Sequence, residues 1–314
     1  MKIALLESLG IPEEDLRRLE TPFAAEGHTF AHYPRTADIE TLTREAADAE
    51  VLMLANMPLP AAVLDNCPRL RYVDIAFTGV DHVAVDALKR RDIPVSNASG
   101  YSTEAVAELA VGMAISLLRD LRRAEDSCRA GGTKAGLTAK ELRGKTVGIV
   151  GLGKIGRRSA ELFHAFGCRV LSVSRGRHAD APEWVTETDL TEVLRASDIV
   201  ALHCPLNDAT RGLIGAAELA QMKPSAFLLN LARGPVVQSA ALCEALEAGQ
   251  IAGAALDVFD VEPPLPEDLP LLRAPHVLPT PHLGFATEES MALRAEIVFG
   301  NLRAWLDGAP VNLV

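Results

Sequence analysis

The chain has 314 residues, 48% of them hydrophobic and 23% charged, which is typical of a soluble globular protein with one large or two ordinary domains. Its formal net charge of −11 argues against a nucleic-acid-binding surface, although it leaves room for a local basic pocket. Five cysteines without CxxC spacing indicate neither disulfides nor a metal site, and no apolar run reaches the roughly 18 residues that a membrane span needs.

The N-terminal segment, MKIALLESLGIPEEDL, is a short apolar run followed by acidic residues. This pattern predicts a first strand and helix and not a signal peptide, so we expect a cytoplasmic protein with reduced thiols.

Strands and helices alternate along the first hundred residues. Short apolar segments predict strands at 2–6, 51–55, 70–76 and 93–98, and helical patterns lie between them at 60–66 and 81–91. This alternation predicts a mostly parallel sheet with helices on both faces.

A long helical pattern follows at 102–131, which Ser102 or Thr103 can cap and Gly131 can end. Apolar residues cover most of its first half, so this half should be buried between domains or in a subunit interface.

A second series of alternating strands and helices begins at 141–177. Further strands are predicted at 198–205, 226–232 and 254–259, and a last strand runs into a loop over 276–284, before a closing helix at 287–307. The two halves therefore look like two similar α/β folds.

Gly151, Gly153 and Gly156 form a GxGxxG motif between the predicted strand 146–150 and a helix. In this context the glycines allow a tight turn, close approach of a pyrophosphate and close packing of the helix on the strand. The free N–H groups at the helix start favour phosphate. The alternative is a tight turn without a ligand.

The strand that follows this helix ends at Ser174, where an NAD site normally carries Asp or Glu for the ribose 2′-hydroxyl. Arg175 and Arg177 come next, and guanidinium groups bind phosphate oxygens well. We therefore predict a preference for NADP(H) over NAD(H). The alternative is that both arginines are solvated loop charges.

Three polar residues follow three successive predicted strands: Arg233 in NLARGPVV, Glu262 in ALDVFDVEPP and His282 in TPHLG. The carboxyl ends of parallel strands share one edge, where such folds bind ligands. Arg233 is suited to hold a carboxylate, and His282 to exchange a proton, with Glu262 favouring the protonated imidazole. This set suits reduction of a 2-keto acid, whereas each residue alone would more often be a surface or turn residue.

The chain resembles the D-isomer-specific 2-hydroxyacid dehydrogenases, which include glyoxylate/hydroxypyruvate reductases. The resemblance rests on seven motifs spread over nearly the whole chain: TGVDHVAVDALKRRDIPVSN, GYSTEAVAELAVGM, LRGKTVGIVGLGKIG, LHCPLNDATRGLI, MKPSAFLLNLARGPVV, ALDVFDVEPP and PHLG.

This resemblance implies two doubly wound parallel-sheet lobes in an α/β protein. A flavodoxin-like substrate-binding domain would comprise 1–99 plus 286–314, and a Rossmann cofactor domain 100–285. It also implies a homodimer built on the cofactor domains, partly through the helix at 102–127, with no nucleic acid, membrane or metal involved.

The resemblance further assigns Arg233, Glu262 and His282 as catalytic residues. The other cofactor-binding residues that the resemblance implies are Lys154 and Ile155; His203, Cys204, Pro205 and Thr210; Leu231 and Ala232; and Asp257 and Gly284. Implied substrate-binding residues, besides Arg233 and His282, are Asn56, Met57, Thr78, Gly79, Val80 and Tyr101.

Three positions depart from family members. Ser174 replaces the NAD-selecting acid, Met57 stands where some glycerate-type members carry Lys, and Phe285 follows the PHLG glycine where a smaller residue is common. Met57 weakens the case for a phosphorylated substrate, and Phe285 would either narrow the pocket or pack.

We therefore expect an NADP-preferring reductase of glyoxylate or hydroxypyruvate, with NAD(H) as a possible cofactor. The alternatives are an NAD-using D-3-phosphoglycerate or D-lactate-type dehydrogenase, phosphite oxidation by the same three residues, and a dinucleotide-sensing corepressor that acts by binding partners.

Overall fold

The computed structural model describes residues 1–176 and 181–314. The chain divides into two compact units: the first comprises Met1–Ser102 with Phe285–Val314, and the second comprises Thr103–Gly284. The predicted boundaries, 1–99 plus 286–314 and 100–285, lie within a few residues of this division. The assignment of substrate to one unit and cofactor to the other remains a prediction.

The secondary structure consists of short parallel strands alternating with helices. The strands are β1 (Lys2–Leu5), β2 (Thr29–His32), β3 (Val51–Leu54), β4 (Tyr72–Ile75), β5 (Val95–Asn97), β6 (Thr146–Val150), β7 (Arg169–Val173), β8 (Val185–Glu187), β9 (Ile199–Leu202), β10 (Phe227–Asn230), β11 (Gly253–Leu256) and β12 (Val277–Pro279). The helices are α1 (Glu13–Ala25), α2 (Ile39–Ala46), α3 (Ala61–Leu64), α4 (Val85–Lys89), α5 (Thr103–Arg119), α6 (Leu121–Arg129), α7 (Lys154–Ala165), α8 (Leu190–Ala196), α9 (Ala216–Leu219), α10 (Ser239–Glu247), α11 (Pro270–Arg273) and α12 (Glu288–Leu306).

The first unit contains a five-stranded sheet in the order β2-β1-β3-β4-β5, with all strands parallel. This is the flavodoxin-like order, as predicted. The central strands β3 and β4 are buried at every position, because helices cover both faces of the sheet.

The second unit contains a seven-stranded parallel sheet in the order β12-β11-β10-β9-β6-β7-β8. Its strand order reverses between β6 and β9, as in the Rossmann fold, and ligands of such sheets bind in the crevice at this reversal. The prediction of two α/β lobes with parallel sheets is confirmed.

The prediction of a single long helix at 102–131 is wrong. The structure has two helices there, α5 and α6, because Asp120 between them adopts a left-handed conformation with φ of 48°. Among the described residues, no helix is both long and apolar enough to cross a membrane.

Candidate active site

The glycine turn after β6 has the form of a dinucleotide cradle. Gly151 has a φ of 99°, and a Cβ there would lie 2.7 Å from the backbone nitrogen of Cys204. A Cβ on Gly156 would lie 1.9 Å from the carbonyl oxygen of Gly151. A Cβ on Gly153 would have no heavy atom within 4 Å, so the cradle is open at that glycine. These positions fit a pyrophosphate that approaches the backbone at Gly153.

The start of α7 presents its first backbone N–H groups at this cradle. Gly153 immediately precedes the helix, Lys154 is exposed and Ile155 is half-buried. Because the first N–H groups of a helix have no partner within the helix, they can bind phosphate oxygens.

The end of β7 carries a hydroxyl in place of the acid typical of NAD sites. The Ser174 hydroxyl donates a hydrogen bond to the carbonyl of Gly176 at 2.9 Å, and the Arg175 side chain is exposed. Arg177, also predicted to select the cofactor, lies outside the described residues.

The turn after β9 is fixed by Thr210. Its hydroxyl donates to the carbonyl of Pro205 at 2.6 Å and accepts a hydrogen bond from the Asn207 N–H at 2.9 Å. Burial lowers the pKa of His203 to about 4, so the imidazole is neutral at pH 7. Burial also raises the pKa of the Cys204 thiol. Thr210 thus bridges two points of the predicted cofactor loop, which carries no ionised side chain at His203 or Cys204 at pH 7.

Arg233 lies in a turn that Asn230 holds from the end of β10. The Asn230 side chain is buried, donating to the Arg233 carbonyl at 2.9 Å and accepting from the Ala232 N–H at 3.1 Å. Leu231 and Ala232 are buried, and the Arg233 guanidinium donates to the Ala232 carbonyl at 2.8 Å. Asn230 was not predicted from the sequence, although a polar residue at the end of an apolar strand was the available signal.

Gly234 allows this turn to pack directly on the loop that follows β11. A Cβ on Gly234 would lie 1.9 Å from both the carbonyl carbon and the oxygen of Phe259. Any larger residue would therefore displace Arg233 or the loop leading to Glu262.

Asp257, which follows β11, organises the turn that carries His282. Its carboxylate is buried and accepts hydrogen bonds from the Thr280 hydroxyl at 2.6 Å, the Leu283 N–H at 2.9 Å and the Gly284 N–H at 2.8 Å. The Asp257 carbonyl accepts from the His282 N–H at 2.8 Å. This set of bonds holds His282 in a left-handed conformation, with φ of 55°. The structure thus shows a positioning role for Asp257 besides the cofactor role that the resemblance implies.

Glu262 and His282 form a hydrogen-bonded pair. The Nδ1 atom of His282 lies 2.8 Å from Oε2 of Glu262, with the imidazole largely buried and the carboxylate about half exposed. Since β10, β11 and β12 are parallel neighbours, the turns carrying Arg233, Glu262 and His282 lie at one edge of the second sheet. This arrangement is suited to holding an anion beside a proton donor.

In the first unit, two of the predicted substrate loops are held by buried polar side chains. The Glu7 carboxylate accepts the N–H groups of Ala55 and Met57, each at 2.7 Å, and so fixes the loop around Asn56. Met57 is 1% exposed, so its side chain packs in the core.

The loop Thr78, Gly79 and Val80 follows β4. Asn97, at the end of β5, donates to the Thr78 carbonyl at 2.7 Å. Tyr101 is buried, as part of the turn that follows β5. Glu7 and Asn97 were missed by sequence reasoning, since each acts on a residue distant in the sequence.

Among the residues that the structure describes, there is no cluster of three or more His, Cys, Asp or Glu side chains arranged to hold a metal ion.

Comparison with known proteins identifies the family. Residues 111–284 match the model of the D-isomer specific 2-hydroxyacid dehydrogenase NAD binding domain. The chain is 36% identical over 316 residues to glyoxylate/hydroxypyruvate reductase B of Escherichia coli O9:H4, covering 98% of this chain and 96% of the relative.

Two solved structures share the fold. An acyclic imino acid reductase in complex with NADPH and D-Arg is 26% identical, with a TM-score of 0.92 and complete coverage of both chains. D-lactate dehydrogenase from Aquifex aeolicus, complexed with NAD and lactic acid, is 29% identical, with a TM-score of 0.87 and coverage of 98% and 96%. The chain therefore belongs to the D-isomer specific 2-hydroxyacid dehydrogenases, NAD(P)-dependent oxidoreductases that act on the CH–OH group of their donors.

Proposed function

We propose that this dehydrogenase reduces glyoxylate or hydroxypyruvate and prefers NADP(H) to NAD(H). The observation that carries the proposal is the 2.8 Å pair of Glu262 and His282 at the same sheet edge as Arg233. The relative from Escherichia coli is itself named a glyoxylate/hydroxypyruvate reductase, which supports a small 2-keto acid as substrate.

Each residue of the set has a distinct chemical task. The Arg233 guanidinium binds the substrate carboxylate and polarises the keto oxygen. His282 donates a proton to that oxygen from Nε2, because Nδ1 is engaged by Glu262. The Glu262 carboxylate stabilises the imidazolium and fixes the orientation of the ring. A bound nicotinamide dinucleotide supplies the hydride.

Ser174 supports the cofactor preference, because an Asp or Glu at this position would repel a 2′-phosphate. Arg175 is exposed beside it and, with Arg177, would supply cations for that phosphate.

We expect kcat/KM of the wild type to be at least tenfold higher with NADPH than with NADH, at fixed glyoxylate and again at fixed hydroxypyruvate. The variant Ser174→Asp should lower the NADPH/NADH ratio by about 10- to 100-fold, the value of one or two charge-assisted contacts. Steady-state kinetics with both cofactors measure this ratio.

Gly153→Ala is the matched variant for this experiment. The added Cβ meets no heavy atom of the protein within 4 Å but enters the cradle. It should therefore weaken the binding of NADPH and of NADH by similar factors. Equal wild-type rates with the two cofactors, or an NADH preference, would contradict the NADP assignment. That result would favour a D-lactate-type enzyme using NAD, the function for which the Aquifex aeolicus structure is named.

The proposal includes the remaining predicted roles. The second unit binds the cofactor, the first unit supplies substrate-binding loops, and the protein is a cytoplasmic homodimer. The exposure of helix α6 supports the proposal of a dimer, since none of its residues is buried within the chain and Leu121 is about half exposed. Sedimentation equilibrium, which measures the mass of the assembled protein, tests the dimer.

A further inference from the structure

Three polar side chains meet at the carboxyl edge of the first sheet. Glu7 follows β1, Arg35 follows β2 and Asn56 follows β3, and these strands are neighbours in the order β2-β1-β3. The strand order reverses between β1 and β3, and doubly wound sheets bind ligands in the crevice outside the strand ends at such a reversal. These three residues, which we call the polar cluster, therefore lie where the fold favours a ligand.

A single nitrogen atom of Arg35 joins the other two members of the polar cluster. Its Nη1 atom donates to Oε2 of Glu7 at 2.9 Å and to Oδ1 of Asn56 at 2.6 Å. The other carboxylate oxygen of Glu7 accepts the N–H groups of Ala55 and Met57. The buried carboxylate thus fixes the backbone of this loop, whereas the guanidinium fixes the side chain of Asn56.

Asn56 is the accessible residue of this part of the loop. Its neighbours Ala55 and Met57 are buried, whereas Asn56 is only half-buried and the Arg35 side chain is 45% exposed. Within the described parts of the chain, the Nδ2 atom of Asn56 has no hydrogen-bond partner, while Arg35 engages its oxygen. The amide is therefore held with its donor nitrogen available to a ligand. The group that suits this nitrogen is one that only accepts hydrogen bonds, such as a carboxylate.

We infer that Arg35 is a positioning residue, which holds Asn56 as a hydrogen-bond donor to the carboxylate of the substrate. The inference rests on the proposed function, because it takes a 2-keto acid as the ligand. Arg35 acts through Asn56 and does not itself contact the substrate. A guanidinium that only neutralised Glu7 would instead act on the whole loop through the N–H groups that Glu7 binds, and the two roles predict different kinetics.

The test is a double-mutant cycle of Arg35→Met and Asn56→Ala, in which KM for glyoxylate is measured with saturating cofactor. Each single variant should raise KM by about tenfold, the value of one hydrogen bond to a charged group. The value of kcat should stay near that of the wild type, because the carboxylate is bound equally before and during the reaction. Arg35→Met should add nothing once Asn56 is alanine. An equal rise of KM in both backgrounds would mean that Arg35 acts on the loop without Asn56, and would overturn the inference.

Arg35→Lys is the conservative variant. Because both bonds of Arg35 leave from one nitrogen atom, an ammonium group with three donors can still bridge the carboxylate and the amide. Its KM should lie between those of the wild type and Arg35→Met. Arg44→Met is the matched control, since Arg44 is an exposed arginine of the same unit that donates to the Thr41 hydroxyl at 3.1 Å. Its KM should equal that of the wild type.

Asn56→Asp decides the question even if Arg35→Met fails to fold. Aspartate keeps an oxygen for Arg35 but offers no donor, so KM should rise at least as far as in Asn56→Ala. A wild-type KM in Asn56→Asp would overturn the inference.

The outcomes separate this inference from the proposed function. If the wild type reduces neither glyoxylate nor hydroxypyruvate, the proposed function is wrong and the inference falls with it. If the wild type reduces them but the effects of Arg35→Met and Asn56→Ala on KM multiply, only the role of Arg35 is wrong.

Discussion

Replacing Arg233 by alanine is expected to lower kcat/KM for glyoxylate by about 10³-fold or more, because in the proposed mechanism its guanidinium both binds the carboxylate and polarises the keto oxygen. The turn that presents Arg233 is held by Asn230 and by close packing at Gly234, so the loss should reflect the missing guanidinium and not a displaced loop. Steady-state kinetics should show a higher KM together with a lower kcat.

Arg233→Lys refines this experiment. It keeps the positive charge but loses the two parallel donors, so its kcat/KM should lie between those of Arg233→Ala and the wild type. Arg273→Ala, at an exposed arginine of the same unit, serves as the control, and its kcat/KM should equal that of the wild type. Catalysis at the wild-type rate in Arg233→Ala would remove Arg233 from the site.

The fold could be predicted from the sequence because most of its strands are short, buried on both faces and followed by turn residues. For example, β6 is bounded on its C-terminal side by the glycine turn, and the observed strand has the predicted bounds. By contrast, β2 was missed, because it is an edge strand whose residues are exposed or half-buried and show no apolar pattern. The break at Asp120 was also missed, since a left-handed residue inside a helical pattern leaves no periodicity signal.

The residues of the candidate site likewise divide into those that the sequence predicted and those that it did not. Arg233 and His282 were predicted because each directly follows an apolar strand, and strand ends converge in a parallel sheet. Glu7, which holds the loop around Asn56, was not predicted. Its carboxylate accepts the N–H groups of Ala55 and Met57, which lie 48 and 50 residues further along the chain. Periodicity identifies a strand but does not show which distant backbone groups a polar residue near its end will meet.

His282→Ala should lower kcat by about 10²–10⁴-fold, the usual contribution of a positioned proton donor. Binding of the cofactor should change little, because the Asp257 bonds that shape the 280–284 turn include backbone N–H groups that alanine retains. The measurement is kcat in both reaction directions, together with cofactor affinity from fluorescence titration. A near-normal kcat would mean that another group supplies the proton.

Glu262→Gln separates the proton donor from the residue that supports it. Glutamine retains a hydrogen-bonding oxygen near Nδ1 but removes the negative charge that favours the imidazolium, so kcat should fall less than in His282→Ala. If the two residues act as one unit, Glu262→Gln should cost almost nothing once His282 is already alanine, and the double variant should be no slower than His282→Ala alone. Additive losses would instead mean that Glu262 acts on the reaction independently of His282. Coupled losses would identify the pair as a proton donor oriented by its acid, with the imidazole largely buried and the carboxylate about half exposed.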